Sequence, residues 1–141
     1  YIVTFQDNNY GTNNFVPFKE IFRYEVGSNL FYRQVVGNIA LFVPLGYFAS
    51  RYCKINDFLT IFFVTLLSSG VIETVQYFIG RCFDIDDIIL NVVGGVIGFL
   101  VYIALSAINK HLPKVLQKDW FYNLLSIGIV AFIVICVLRI Y

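Results

Sequence analysis

Four stretches of this chain carry no Asp, Glu, Lys or Arg: residues 34–50, 58–72, 88–109 and 120–138. A helix that crosses a bilayer needs about 20 mostly apolar residues. A helix on a soluble core instead shows polar residues down one face, every three or four positions. Ile61-Phe62-Phe63-Val64 and the run from Ile129 to Ile135 leave no room for such a face. The pattern predicts an all-α, polytopic transmembrane bundle. Its spans lie near 34–50, 58–80, 87–109 and 120–138, and the second tolerates Glu73 within it. There are several such runs and each is too long for a signal peptide. Linkers, repeats and low-complexity tracts are absent, so residues 1–141 read as a single membrane domain.

Composition agrees. Charged residues are 13% of the chain and hydrophobic ones 59%, against about 25% charged in a typical soluble domain. Ten Lys and Arg face nine Asp and Glu. That balance excludes a disordered tail and a nucleic-acid partner, both of which need strong net charge. Cys53, Cys82 and Cys136 follow no metal-binding or disulfide spacing.

The connecting segments set an expected orientation, because cytoplasmic loops are enriched in Lys and Arg. Arg51 and Lys54 lie in the 51–57 loop; Lys110, Lys114 and Lys118 lie with His111 in the 110–119 loop. Both are expected in the cytoplasm. The 80–87 loop, with Arg81 against Asp84, Asp86 and Asp87, is then extracytoplasmic. The N-terminal segment falls on the same outer side, although Lys19, Arg23 and Arg33 pull the other way. The chain begins at Tyr1 and contains no Met, so a further span upstream is expected. Trp120, Tyr122 and Tyr141 suit the aromatic belts at the two ends of the last span.

Residues 7–14 are polar and turn-rich. From Pro17 to Tyr32, apolar Phe18, Ile21, Phe22, Val26, Leu30 and Phe31 alternate with Lys19, Glu20, Arg23 and Glu25. This predicts an amphipathic helix lying in the outer interface, interrupted at Gly27; a packed loop is the competing reading.

Polar residues inside the spans carry the functional signal, since a charge at that depth is costly and needs a partner. Glu73 leads one polar stripe with Ser69, Gln76 and Tyr77, and Arg81 is its expected ion-pair partner. Asp84, Asp87 and Asn91 fall on one side of the next span, and Gly94 and Gly98 continue that side with a GxxxG spacing. Such small residues let a second backbone approach closely. The expected neighbour there is the Glu73 helix, held antiparallel by the short turn. The same GxxxG face could serve self-association. On the first span, Asn38 lies one turn inside, and Pro44 and Gly46 follow. Pro44 is expected to free a carbonyl and kink that helix.

Asn38, Glu73, Gln76, Arg81, Asp84, Asp86, Asp87 and Asn91 therefore converge near one side of the bilayer, as an outward polar pocket. Each also has a structural reading. Asp84 suits an N-cap and Asp87 the third helical position, and Asp86 and Asp87 suit the positive end of a helix dipole.

These residues also form a combined pattern. Asn14-Phe15-Val16-Pro17-Phe18 comes first, then N-x-x-x-F-x-P-L-G from Asn38 to Gly46. Next come E-x-x-Q at Glu73 and Gln76 and R-x-x-D-x-x-D-x-x-x-N-x-x-G from Arg81 to Gly94, with Gly95 and Gly98 beyond. The combination, covering residues 14–105, resembles the VanZ-like family of bacterial membrane proteins. The resemblance implies a plasma-membrane protein. The family's founding member is associated with low-level resistance to teicoplanin, a lipid-tailed glycopeptide, without remodelling of the peptidoglycan precursor.

Three functions follow as expectations. In the first, the protein is not an enzyme: the pocket binds a lipid headgroup or a lipoglycopeptide and weakens the drug's anchoring at the surface. In the second, it is an intramembrane enzyme on a lipid-linked substrate. Glu73 and Asp87 are then the catalytic candidates, Arg81 holds phosphate, and Asp84 and Asp87 are positioned for a divalent cation. In the third, it carries a small solute or proton. No cofactor is expected.

Overall fold

A computed structural model describes residues 13–109 together with Trp120, Phe121, Asn123, Leu124, Ile127, Gly128, Ala131 and Ile135. The elements run in order as a 3-10 turn (Ile21–Arg23), α1 (Asn29–Phe31), a π-helical turn (Tyr32–Val36), α2 (Gly37–Tyr52), α3 (Phe58–Phe78) and α4 (Ile85–Asn109). The described residues hold no strand, only an isolated parallel bridge between Asn14 and Asp84.

The third and fourth helices have the length and composition to cross a bilayer. Mean hydropathy reaches 1.9 in Phe58–Phe78 and 2.5 in Ile85–Ile108, yet only 22% and 33% of those windows are buried within the protein. A soluble core helix of that apolarity would be mostly covered; these leave Phe63, Leu67, Val71, Val93, Ile97 and Leu100 exposed. α2 has 16 residues, short of a span by itself, but α1 and the π-helical turn extend the helical path from Asn29 to Tyr52. That differs from the predicted 34–50 because Ser28 starts the helix early: its hydroxyl accepts from the Phe31 N–H at 3.1 Å. The predicted 120–138 span lies largely outside the described residues, and its described positions are helical. The 110–119 loop and residues 1–12 also lie outside them.

Packing is organised around α4, with α2 on one side and α3 on the other. Ile61, Thr65, Ser69 and Glu73 make one buried stripe on α3, spaced four apart. Thr65 meets Gly95 and Ser69 meets Asn91, so α3 runs antiparallel to α4, as the short connection requires. The buried hydroxyls cost little, because they donate back to their own helix. Thr65 Oγ1 reaches the Ile61 carbonyl at 2.9 Å, and Ser50 Oγ reaches that of Gly46 at 2.7 Å.

The glycines correct one expectation. Gly94 and Gly98 face α2, not the Glu73 helix. A Cβ on Gly94 would collide with the Ile39 carbonyl, and one on Gly98 with the Val43 carbonyl. Gly46 lies directly against the Gly95 backbone, and Gly95 alone of the three takes the Glu73 helix, through Thr65. Spacing announced a close approach but not its partner. Pro44 lies inside α2, and the helix continues through it.

The 17–32 segment also departs from expectation. It is no continuous amphipathic helix. Phe18 at φ 67° and Gly27 at φ 93° break the helical path on either side of the short 3-10 turn. The backbone N–H groups that would have propagated a helix donate elsewhere, as described below.

The α3–α4 connection is set by Gly80. Its φ of 88° suits a residue without Cβ. The Gly80 N–H donates to Tyr77 O and the Arg81 N–H to Gln76 O, at 3.1 and 3.0 Å. This is the Schellman pattern that closes a helix, and it ends α3 at Phe78 rather than residue 80. α4 then starts at Ile85, two residues earlier than predicted, because Asp84 caps it.

Candidate functional site

The N-terminal end of α4 gathers the polar residues. Asp84 Oδ1 accepts from the Asp86 N–H at 2.9 Å, the bond an N-cap side chain makes. Asp87 occupies the third helical position, as predicted. Instead of reaching back toward the cap, it accepts from Asn38 Nδ2, which ties α4 to α2. The π-helical turn ends two residues before Asn38, with the Gly37 N–H donating to Tyr32 O. An extra residue of this kind resets which side chains face a neighbour, a device frequent at functional sites.

Glu73 is 2% exposed, and both its oxygens are engaged. Oε2 accepts from the Asp84 N–H at 3.1 Å. Gln76, its amide oriented to satisfy both neighbours, donates to Glu73 Oε1 at 2.8 Å and accepts from Arg81 NH1 at 3.0 Å. The expected direct Glu73–Arg81 ion pair is therefore bridged by Gln76. The reason is reach: Arg81 lies beyond the end of the helix, exposed, while Glu73 is two turns inside. Tyr77, expected on the same stripe, is exposed instead.

Asn91 donates to Ser69 Oγ at 2.9 Å, and its Oδ1 has no partner among the described residues. Of the eight sequence-predicted residues, Asn38 with Asp87 and Glu73 with Gln76, Arg81 and Asp84 form two connected sets at one end of the protein. Asn91 lies one turn deeper.

Asp86 has a different task from the one expected. It is 1% exposed and serves as an acceptor for backbone. Its Oδ2 takes the Glu20 and Ile21 N–H groups at 2.7 and 3.3 Å, and its Oδ1 takes the Phe18 N–H. Asn14 assists. Its backbone bridges the connection, donating to Phe83 O at 2.8 Å and accepting from the Ile85 N–H at 3.1 Å. Its side chain donates to Asp84 Oδ1 at 2.8 Å. Asn14 and Glu20 are the residues sequence reasoning left without a role. Asn14 stood in the family-like pattern, and that was its only signal.

The space here is small and half-open to the surface. A void of about 10 Å³ is lined by Glu20, Tyr24, Val35, Asp84, Asp87 and Leu90, among others, room for about one water. The outward pocket expected from sequence is thus a packed cluster in this conformation. Burial pushes the Asp84 carboxyl above its ordinary range; the Asn14 and Asp86 bonds oppose this, and the Asp86 and Glu20 charges add to it. Burial also raises the Tyr24 hydroxyl, with the Glu20 carboxylate contributing. Among the described residues, no group of three or more His, Cys, Asp or Glu is arranged to hold a metal ion. Asp84 and Asp87, the pair singled out for a cation, instead accept from Asn14 and Asn38. The cluster can accept hydrogen bonds and attract a cationic group, and Arg81 at its edge can meet an anionic one.

Comparison with known proteins adds the lineage. A family model described as VanZ/LLP1 matches residues 2–106. Protein VanZ of Enterococcus faecium is 32% identical over 109 residues, which are 77% of this chain and 64% of that relative. The chain therefore spans just under two thirds of the relative's length. No solved structure matches.

Proposed function

This chain belongs to the VanZ/LLP1 family, and on that premise we propose that it is a multi-pass protein of the bacterial plasma membrane that weakens the anchoring of lipid-tailed glycopeptides such as teicoplanin. In this reading α2, α3, α4 and the 120–138 segment all cross the bilayer. The basic 51–57 and 110–119 connections face the cytoplasm, and the 80–87 connection faces out. The alternating directions of α2, α3 and α4 support it: Asn38 and the acidic start of α4 share one end, and the Tyr102–Asn56 bond, 3.3 Å, marks the other.

The observation that carries the proposal is the meeting of Asn38 from α2, Glu73 from α3 and Asp87 from α4 at one end of an otherwise apolar bundle. Polar groups at such depth are expensive and mark function. The cluster engages a phospholipid headgroup, and Phe15, Phe18 and Phe22, all exposed beside Lys19 and Arg23, sit at headgroup level. A lipid tail contributes about 0.8 kcal/mol per buried methylene, so the loss of even one methylene of insertion weakens a tailed drug about fourfold. A catalytic reading would use Glu73 and Asp87. The two hydrogen bonds that already occupy Glu73 favour a holding role over proton abstraction.

Susceptibility of a Gram-positive host tests the reading. Expression is expected to raise the inhibitory concentration of teicoplanin and leave that of tail-less vancomycin unchanged. Equal protection against both drugs, or none at verified membrane levels, would overturn it.

A further inference from the structure

We propose that residues 13–26 form a lid, latched by Asp86 and hinged at Gly27, which must lift before any ligand larger than a water reaches Asp87 of the Asn38, Glu73 and Asp87 cluster from the lid side. The inference rests on the reading of that cluster as a binding site and supplies its gate.

Glu20 and Tyr24 of the lid line one side of the void, and Asp84, Asp87 and Leu90 at the start of α4 line the other, with room between them for about one water. A lipid headgroup is far larger, so access requires movement of a wall. The α2 and α4 walls are fixed by backbone contact at Gly46, Gly94 and Gly98. The lid is the wall without such contacts.

The lid is held by polar bonds at few points rather than by apolar burial. Phe18 is 51%, Phe22 83% and Val26 87% exposed. Its attachments include the three N–H bonds to Asp86, the Asn14 bonds at the connection, the Phe83 N–H donated to Asn13 Oδ1 at 3.0 Å, and the stacking of Phe15 on Phe83 with ring centroids 5.3 Å apart. A segment with little buried apolar surface and a local polar attachment opens as a unit ahead of the core.

One feature of the closed state works against it. Phe18 is held at φ 67°, a left-handed conformation that a bulky residue adopts only when its surroundings impose it, and opening relieves that strain. The Glu20 carboxylate is no such load, because Arg23 pairs with it at 3.1 Å within the lid itself. At the far end of the lid, Gly27 has φ 93°, and no atom lies near where a Cβ would stand. Ser28 then caps α1, so the hinge abuts a fixed element. A latch, an opposing strain and a hinge beside a helix make a two-state element.

Cysteine accessibility tests this. The full chain carries Leu90→Cys, with Cys53, Cys82 and Cys136 replaced by Ser, and is placed in lipid nanodiscs. Both faces are then open to reagent, and orientation does not enter. The probe is a trimethylammonium methanethiosulfonate, and the rate of modification at residue 90 is read by mass. Asp86→Asn puts an amide N–H among the latch donors and is expected to raise the rate at least tenfold. Phe15→Cys with Phe83→Cys, oxidised to a disulfide across the stacked pair, is expected to lower it below that of the same protein reduced. If Asp86→Asn fails to fold, the oxidised and reduced forms of the second variant decide alone. Equal rates in the locked and unlocked forms would overturn the lid. Because the readout is chemical access, drug selectivity could fail while the lid stands, and the reverse.

Discussion

The middle and the N-terminal end of α4 are held in different ways. Along the middle, Gly94 and Gly98 press against the α2 backbone, and Gly95 takes the Thr65 side chain of α3. At its N-terminus, besides the two backbone bonds of Asn14, the contacts are side chains reaching across: Asn14 to Asp84, Asn38 to Asp87, and Asp86 to three N–H groups of the lid. The first interface has one allowed distance. The second is a set of separable bonds that can be exchanged for bonds to something else. A membrane protein that must hold its shape and also bind at one end gains from keeping these two kinds of contact apart.

The contrast breaks most visibly at the glycines. Gly46→Leu would drive a side chain into the Gly95 backbone. A loss of about 3 kcal/mol is expected, the upper end of ordinary overpacking, read as loss of folded protein on detergent extraction and size exclusion. Normal levels and melting would show that the α2–α4 contact is not close.

Asp86→Ala is expected next in size. It strands buried N–H groups, at about 2–3 kcal/mol, but the loss should stay local. Hydrogen exchange should accelerate at Phe18, Glu20 and Ile21 and leave α3 and α4 protected. Acceleration throughout the bundle would mean that the two regions are not separable.

Asn91 lies between the two regions and sharpens the boundary. Its Oδ1 is already unpartnered among the described residues, so Asn91→Leu gives up one bond to Ser69 and also removes an unsatisfied oxygen. Melting should change by no more than about 1 kcal/mol, and loss of drug protection at unchanged stability would assign Asn91 to the site. A large destabilisation would assign it to packing.

The smallest expected effect is one of pH. The Asp84 carboxyl is raised in the folded protein from an ordinary value of 3.8, so the folded state holds its proton more tightly than the unfolded chain. Docking at this end is therefore strongest below that value and weakens as pH rises through the folded one. Asp57, which caps α3 through the Thr60 N–H and hydroxyl, is lowered by those bonds. Its contribution is present above 3.8 and fades as pH falls through the folded value. Exchange rates at the lid and at the first turn of α3, corrected for intrinsic pH dependence, should move in opposite directions. Movement together would contradict the assignment.

Much of this was legible in the sequence. The uncharged runs near 58–80 and 87–109 mark the two helices long and apolar enough to cross a bilayer, because apolar length is read directly, and helical spacing already put Asn38 and Asp87, which are hydrogen-bonded, at the same end. The partner of Gly94 and Gly98 was not legible, since a small residue says that something comes close and not what. The lid was read as a helix because its apolar spacing is helical. Its backbone donors are claimed by Asp86, 65 to 68 residues away in the chain, and no local pattern contains that competition. Asp86 itself looked like one more acid at a helix dipole.

The central claim is that the polar end of α4 is a site and not a brace. Glu73→Gln and Asp87→Asn remove charge while keeping size and an acceptor for the Asp84 N–H and for Asn38. Teicoplanin susceptibility of cells expressing each variant, at membrane levels matched to wild type, is the most direct measurement. The account predicts that protection is lost in both. Protection equal to wild type in two well-folded, uncharged variants would contradict it.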